Sequence, residues 1–88
     1  MHTIVVEFFG VPRERAGVAE ASLHATRLGD ALRDLGLRFP LLAADCLAGE
    51  RLRPGCTANL NGERFVSDPE TPLASGDTLL IMSADAGG

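Results

Sequence analysis

The chain has 88 residues, with eight arginines, twelve acidic side chains, a formal net charge of −4 and neither tryptophan nor tyrosine. That length holds one domain, and folding buries about 60–65% of the unfolded surface, enough for a single modest core without metal or disulfide. The charge is unevenly placed: residues 1–62 are balanced, whereas Glu63, Asp68, Glu70, Asp77 and Asp85 stand against Arg64 alone in residues 63–88. With no basic cluster and few aromatics, the chain lacks the phosphate contacts and stacking platforms that nucleic-acid binding requires.

Apolar runs such as Leu79–Met82 fall far short of the roughly 20 residues of a membrane span, and the N-terminus has no charged-then-apolar signal pattern, so a cytoplasmic location is expected. Every basic side chain is arginine; no lysine is present. Cys46 and Cys56 stand ten positions apart, outside any Cys-x-x-Cys spacing, and read as two reduced thiols in or near the core rather than a disulfide or metal site.

Thr3–Phe9 is β-branched and aromatic and ends at Gly10-Val11-Pro12, which reads as a strand stopped by a turn. Its nearly continuous apolarity predicts burial on both faces and a central place in a sheet. After Arg13–Gly17, the segment Val18–His24 alternates Ala19, Ala21 and Leu23 against a polar set, as the second strand of a hairpin near a sheet edge.

Gly29-Asp30 opens a helix with Asp30 as its N-cap, and Leu28, Leu32, Leu35 and Phe39 form one apolar stripe. Asp34 and Arg38, four apart, pair on its outer side. Gly36 weakens the middle by about 1 kcal/mol relative to Ala, and Pro40 ends the element or starts a new turn. Pro40–Leu47 reads as a short second helix and Ala48–Gly55 as loop. Cys56–Asn61 and Glu63–Val66 flank Asn61-Gly62, whose pairing predicts a type I′ hairpin turn with positive φ at both positions. Ser67–Asp77 is a connection, and Thr78–Ser83 is a last, central strand.

Two strands, a helix and three strands make an α+β architecture: a mixed sheet of about five strands with one main helix packed on one face. If the first and last strands are central neighbours joined through the helical crossover, they run parallel. That is the β-grasp, or ubiquitin-like, fold. The expected domain spans residues 1–84, followed by a flexible tail, 85–88, ending in Gly87-Gly88.

No nucleophile–base pair, metal-ligand spacing or phosphate loop occurs in the sequence. His24 reads as a solvated histidine on a polar strand face, and the adjacent Asp45 and Cys46 do not face each other on a helix. What remains is the terminal glycine pair, a thin thread able to enter a narrow channel and carry the Gly88 carboxylate to its end, with Gly87 giving clearance. A carboxylate is a poor electrophile, so a partner must first convert it to an activated acyl group. Without lysine, the chain offers no side-chain amine for isopeptide attachment to itself.

These residues resemble the sulfur carriers of the ubiquitin-like superfamily, most of all the small subunits of molybdopterin synthases. The resemblance is carried by Phe8-Phe9, Arg13-Glu14 with Ala16-Gly17, the Gly29-Asp30…Leu32…Asp34-Leu35 stretch, Arg38-Phe39-Pro40, Leu60-Asn61-Gly62-Glu63, Pro72–Asp77 and Gly87-Gly88. It implies that Gly88 is adenylated with ATP by a ubiquitin-activating-type adenylyltransferase and converted to a thiocarboxylate, with sulfur supplied indirectly by a sulfurtransferase or persulfide donor. The thiocarboxylate would give its sulfur to a pterin precursor in the active site of the molybdopterin synthase large subunit. The chain would then be a sulfur-donating subunit without a catalytic site, bound cofactor or metal of its own. Alternatives are a carrier for thiazole, cysteine or tRNA thiolation, and a ubiquitin-like modifier or interaction module. Two departures stand out: Ser83-Ala84-Asp85-Ala86 where the family has an apolar stretch, and Gly10-Val11-Pro12 in place of Ala-x-Leu.

Overall fold

The β-branched N-terminal run forms strand β1 (Thr3–Phe8) in the computed structural model, which describes residues 2–84. Gly10, at φ 64°, turns the chain one residue beyond Phe9. There follow helix α1 (Val11–Ala16), β2 (Glu20–His24), α2 (Leu28–Arg38), α3 (Pro40–Cys46), the short strands β3 (Leu47–Ala48) and β4 (Arg51–Leu52), then β5 (Cys56–Leu60), β6 (Arg64–Val66) and β7 (Thr78–Ser83). The main sheet has the order β2-β1-β7-β5-β6; β3 and β4 make a separate two-stranded ribbon. The α+β, β-grasp expectation holds, with β1 and β7 parallel neighbours at the centre and every other pair antiparallel.

Continuous apolarity in β1 and β7 does not mean two buried faces. Ile4, Val6 and Phe8, and likewise Leu79 and Ile81, are buried against the helices, while Val5, Leu80 and Met82 on the other face are half-buried. Central strands are shielded on their outer face by their neighbours' side chains, so a β-branched outer face is compatible with partial exposure. Edge strand β2 shows the expected alternation, with Leu23 buried between exposed Ser22 and His24.

Helix α2 supplies Leu28, Ala31, Leu32 and Leu35 to the core. Asp30 is not its cap. The helix begins two residues earlier, with Arg27 at the N-cap position, because Leu28 N–H donates to the Thr71 carbonyl (2.9 Å) and Gly29 N–H to that of Pro69 (2.8 Å). The connecting loop thus satisfies donors that a capping side chain would otherwise take. Asp30, inside the first turn, instead binds Arg27 and Arg33 (3.3 and 3.1 Å). The Arg27 guanidinium meets Glu50 in a two-pronged pair, both contacts at 3.0 Å, and touches Glu70 at 3.3 Å. That hydrogen-bonded pairing raises the pKa of Arg27 and lowers that of Glu50. A methyl group at Gly29 would stand 2.5 Å from Arg27 Nη1, 2.7 Å from Glu50 Oε1 and 3.0 Å from Pro69 Cβ, so a side chain there would displace the Arg27–Glu50 pair. The expected Asp34–Arg38 pair forms at 3.6 Å, and Arg38 Nη1 also donates to the Ser22 carbonyl, tying α2 to β2.

Two segments read as irregular are ordered elements. Residues 11–16 form α1, with Pro12 in the first turn, where its missing N–H costs nothing, and Gly17 closing the end at φ 79°. Residues 47–52, within and just before the predicted loop, form the β3–β4 ribbon. Asn61 and Gly62 have φ 59° and 71°, as a type I′ turn requires. Asn61 does more than turn. Its Nδ2 donates to Asp77 Oδ1 (3.0 Å), its Oδ1 accepts from Thr78 N–H (2.8 Å), and Asp77 Oδ2 accepts from Ala74 N–H (2.8 Å).

Gly36 has an ordinary helical backbone, and a Cβ there would meet Ala43 Cβ and Leu47 Cδ1 at 3.7 and 3.8 Å, normal packing distances. Gly36→Ala is therefore expected to raise stability by about 0.5–1 kcal/mol in urea unfolding. Asn61→Ala should lower it by about 2 kcal/mol, through lost hydrogen bonds and a left-handed backbone that Ala resists, and Asn61→Gly by less. Asn61 and the Ala74 N–H hold the Asp77 carboxyl below its ordinary range. A depressed native value means that this contribution is complete above the unfolded-state value of about 3.9 and is lost as pH falls through the lower native one. Asp77→Asn should accordingly reduce stability at neutral pH and flatten its decline in a urea titration carried below pH 4.

Candidate functional site at the root of the C-terminal tail

The sequence-predicted site residues, Gly87 and Gly88, lie outside the described residues, as does Asp85. The structure defines the place from which they depart. Strand β7 pairs with β1 through Ile81, opposite Phe8, and with β5 through Ser83, opposite Cys56. Phe9 N–H donates to the Ile81 carbonyl (2.9 Å), after which Gly10 turns away, so Met82 and Ser83 keep a strand partner only on the β5 side. A last bond, Ala84 N–H to the Gly55 carbonyl (2.7 Å), fixes the chain's direction as it leaves the sheet.

A hollow beside this exit is lined by Val11, Asp45, Cys46, Gly55, Cys56 and Ser83, among others. Both cysteines are free; Cys46 is buried at the end of α3 and Cys56 half-buried at the start of β5. Burial, and then the adjoining Cys56 thiol, push the Cys46 thiol up to about 12, despite the opposing charge of Arg15, which pairs with Asp45. At neutral pH Cys46 is a protonated core thiol. Its neighbourhood with Cys56 is a contact that spacing in the sequence did not disclose.

The open face of the sheet carries a second feature. Asn59, opposite both Leu80 and Phe65, lies on the face away from the helices yet is only 8% exposed, and its Oδ1 has no hydrogen-bond partner. Phe65 beside it is 68% exposed. An unpaired buried acceptor next to an exposed aromatic ring is a high-energy patch for an isolated domain.

The other candidate groups behave as solvated or structural side chains. His24 is exposed, with Nδ1 3.2 Å from Thr3 Oγ1, and His2 Nε2 donates to the Leu73 carbonyl. The acidic C-terminal quarter is largely engaged within the fold: Glu70 on Arg27, Asp77 on Asn61, and Asp68 on the Glu70 N–H. By contrast, Arg13, Arg51, Arg53 and Arg64 form no ion pair with another described residue. Among the described residues no group of three His, Cys, Asp or Glu side chains is placed to hold a metal ion, and no helix is long and apolar enough to cross a membrane.

Comparison with known proteins places this geometry. The small archaeal modifier protein 1 of Methanosarcina acetivorans superposes with a TM-score of 0.79 at 25% identity, covering 100% of this chain and 98% of that one. A chain of the BexX/CysO complex of Amycolatopsis orientalis gives 0.78 at 22% identity, covering 97% and 99%. A putative molybdopterin converting factor subunit 1 of Pyrococcus furiosus gives 0.76 at 23% identity, covering 94% and 98%. No curated protein matches by sequence. The family model that matches runs over residues 6–88, from within β1 to the terminal glycines, and the chain therefore belongs to the ThiS family of ubiquitin-like sulfur carriers.

Proposed function

We propose that this chain is the sulfur-carrying small subunit of a molybdopterin synthase, acting through the carboxylate of Gly88. The observation that carries the reading is the exit geometry: a central strand, held on both sides up to Ile81 and on one side to Ser83, ends five residues before Gly88. Five residues span at most about 18 Å, enough to carry a carboxylate away from the sheet while the domain remains docked outside a partner's channel.

The chemistry divides between the chain and its partners. In the first step a Gly88 carboxylate oxygen attacks the α-phosphorus of ATP on an adenylyltransferase, forming the acyl-adenylate and releasing pyrophosphate. A sulfur nucleophile, drawn from a persulfide donor with reduction, then displaces AMP and leaves the thiocarboxylate. In the large subunit that sulfur passes to the pterin precursor, and water hydrolyses the acyl group to regenerate the Gly88 carboxylate. The chain's own part is to present the carbonyl carbon without side chains at Gly87 and Gly88 and without an internal ε-amine to capture the activated acyl group. Phe65, Leu80 and the unpaired Asn59 Oδ1 form the surface we assign to docking, a partner N–H donor completing Asn59.

A carrier for another thiolation reaction, or a protein modifier, is the second reading, favoured by the likeness to small archaeal modifier protein 1 and to the CysO-containing complex. Intact-mass spectrometry after incubation with the cognate adenylyltransferase, ATP and a sulfur donor is expected to show one oxygen replaced by sulfur, located to Gly88 by fragmentation. Deleting Gly88 should abolish the change; an unaltered mass in the intact chain would refute the carrier reading. Isolation of the bound partner separates the two readings: a synthase large subunit supports the first, and a thiazole or cysteine synthase the second. Phe65→Ala should weaken binding to the activating partner about tenfold in titration calorimetry, some 1.4 kcal/mol.

A further inference from the structure

We infer that Cys46 and Cys56 are a modification site, closing reversibly to an intramolecular disulfide when the protein meets hydrogen peroxide or a related hydroperoxide. The fold, rather than the sequence spacing, makes the pair. After α3 the chain runs out along β3, back along β4, and is pinned by Arg53 N–H on the Cys46 carbonyl (2.8 Å) and Cys56 N–H on the Arg53 carbonyl (3.2 Å). These bonds return Cys56 to the side of Cys46, both line the hollow beside Ser83 and Ala84, and their thiols are close enough to interact.

The two positions differ in a way that orders the reaction. Cys56 is half-buried and within reach of a small oxidant, while Cys46 is buried and held protonated, so it is protected from direct attack. The Cys56 thiolate attacks one peroxide oxygen, the O–O bond breaks, and a sulfenic acid forms as the departing hydroxide takes up a proton to become water. The Cys46 sulfur, losing its proton, then attacks the Cys56 sulfur; the S–S bond forms, the S–O bond breaks and a second water leaves. Two thiols and one peroxide give one disulfide and two waters, each sulfur losing one electron. The closed bridge fastens the end of α3 to the strand paired with Ser83, directly beside the tail's exit. A dithiol reductant reverses it by thiol–disulfide exchange.

The site is tested on the full chain with substoichiometric to modest excess hydrogen peroxide, followed by alkylation and intact-mass spectrometry without reductant. The expected product is a monomer lighter by two hydrogens, closed to alkylation, with a 46–56 cross-linked peptide, restored by dithiothreitol. In Cys46→Ala the sulfenic acid at Cys56 should persist and be trapped by dimedone, and in Cys56→Ala oxidation of the remaining buried thiol should slow at least tenfold. The proposal is overturned if the native chain yields disulfide-linked dimers, or if Cys56 reaches sulfinic acid while Cys46 remains open to alkylation under unfolding conditions. Because the readout is on the unsubstituted chain, it stands whether or not the variants fold, and it is independent of sulfur transfer.

Discussion

Parallel pairing of the first and last strands is the constraint on which the molecule rests. The N-terminal half contributes a hairpin, β1–β2, and the C-terminal half another, β5–β6; neither touches the other within the sheet except through β7. The same strand places Leu79 and Ile81 at the bottom of the core. Its register with β1, from Val5 opposite Thr78 to Phe8 opposite Ile81, therefore aligns both halves and sets where the tail emerges. Such a contact joins the most distant parts of the sequence, so the closure entropy is met late and the sheet completes only when the last strand is available.

Around this axis the loops are locked by polar contacts that the sequence did not announce. Asp30 has the composition of a cap and the right place before an apolar stripe, but the helix starts ahead of it, where the loop carbonyls of Pro69 and Thr71 accept from the N–H groups of Gly29 and Leu28. Local capping rules assume an end open to water, and here a segment forty residues away covers it. The acidic residues of the C-terminal quarter are a similar case. Uneven in the sequence, they serve within the fold: Glu70 and Asp77 tie the 67–77 connection to Arg27 and Asn61, and Asp68 accepts from the Glu70 N–H. Charge counts locate acids but not their partners across the fold.

What was legible followed from strong short-range physics. The strand residues, the Asn61-Gly62 turn and the α2 stripe each depend on one periodicity or one backbone conformation, and all appear where expected. Helix α1 escaped because six residues with Pro12 near the start resemble a turn, although Pro12 near the start and Gly17 after the end together mark a short helix. The proximity of Cys46 and Cys56 was not legible, since it is made by a two-stranded ribbon of minimal length whose strands carry no alternation.

The placement of β7 also has a mechanical meaning. A strand at a sheet's edge can be peeled away one hydrogen bond at a time when its free end is pulled sideways. Here β7 lies between two neighbours, one running with it and one against it. Tension applied through the tail loads both ladders in shear, so the bonds resist together instead of in succession. Force along the strand axis therefore meets the whole of β7 at once and does not unravel the domain from that end.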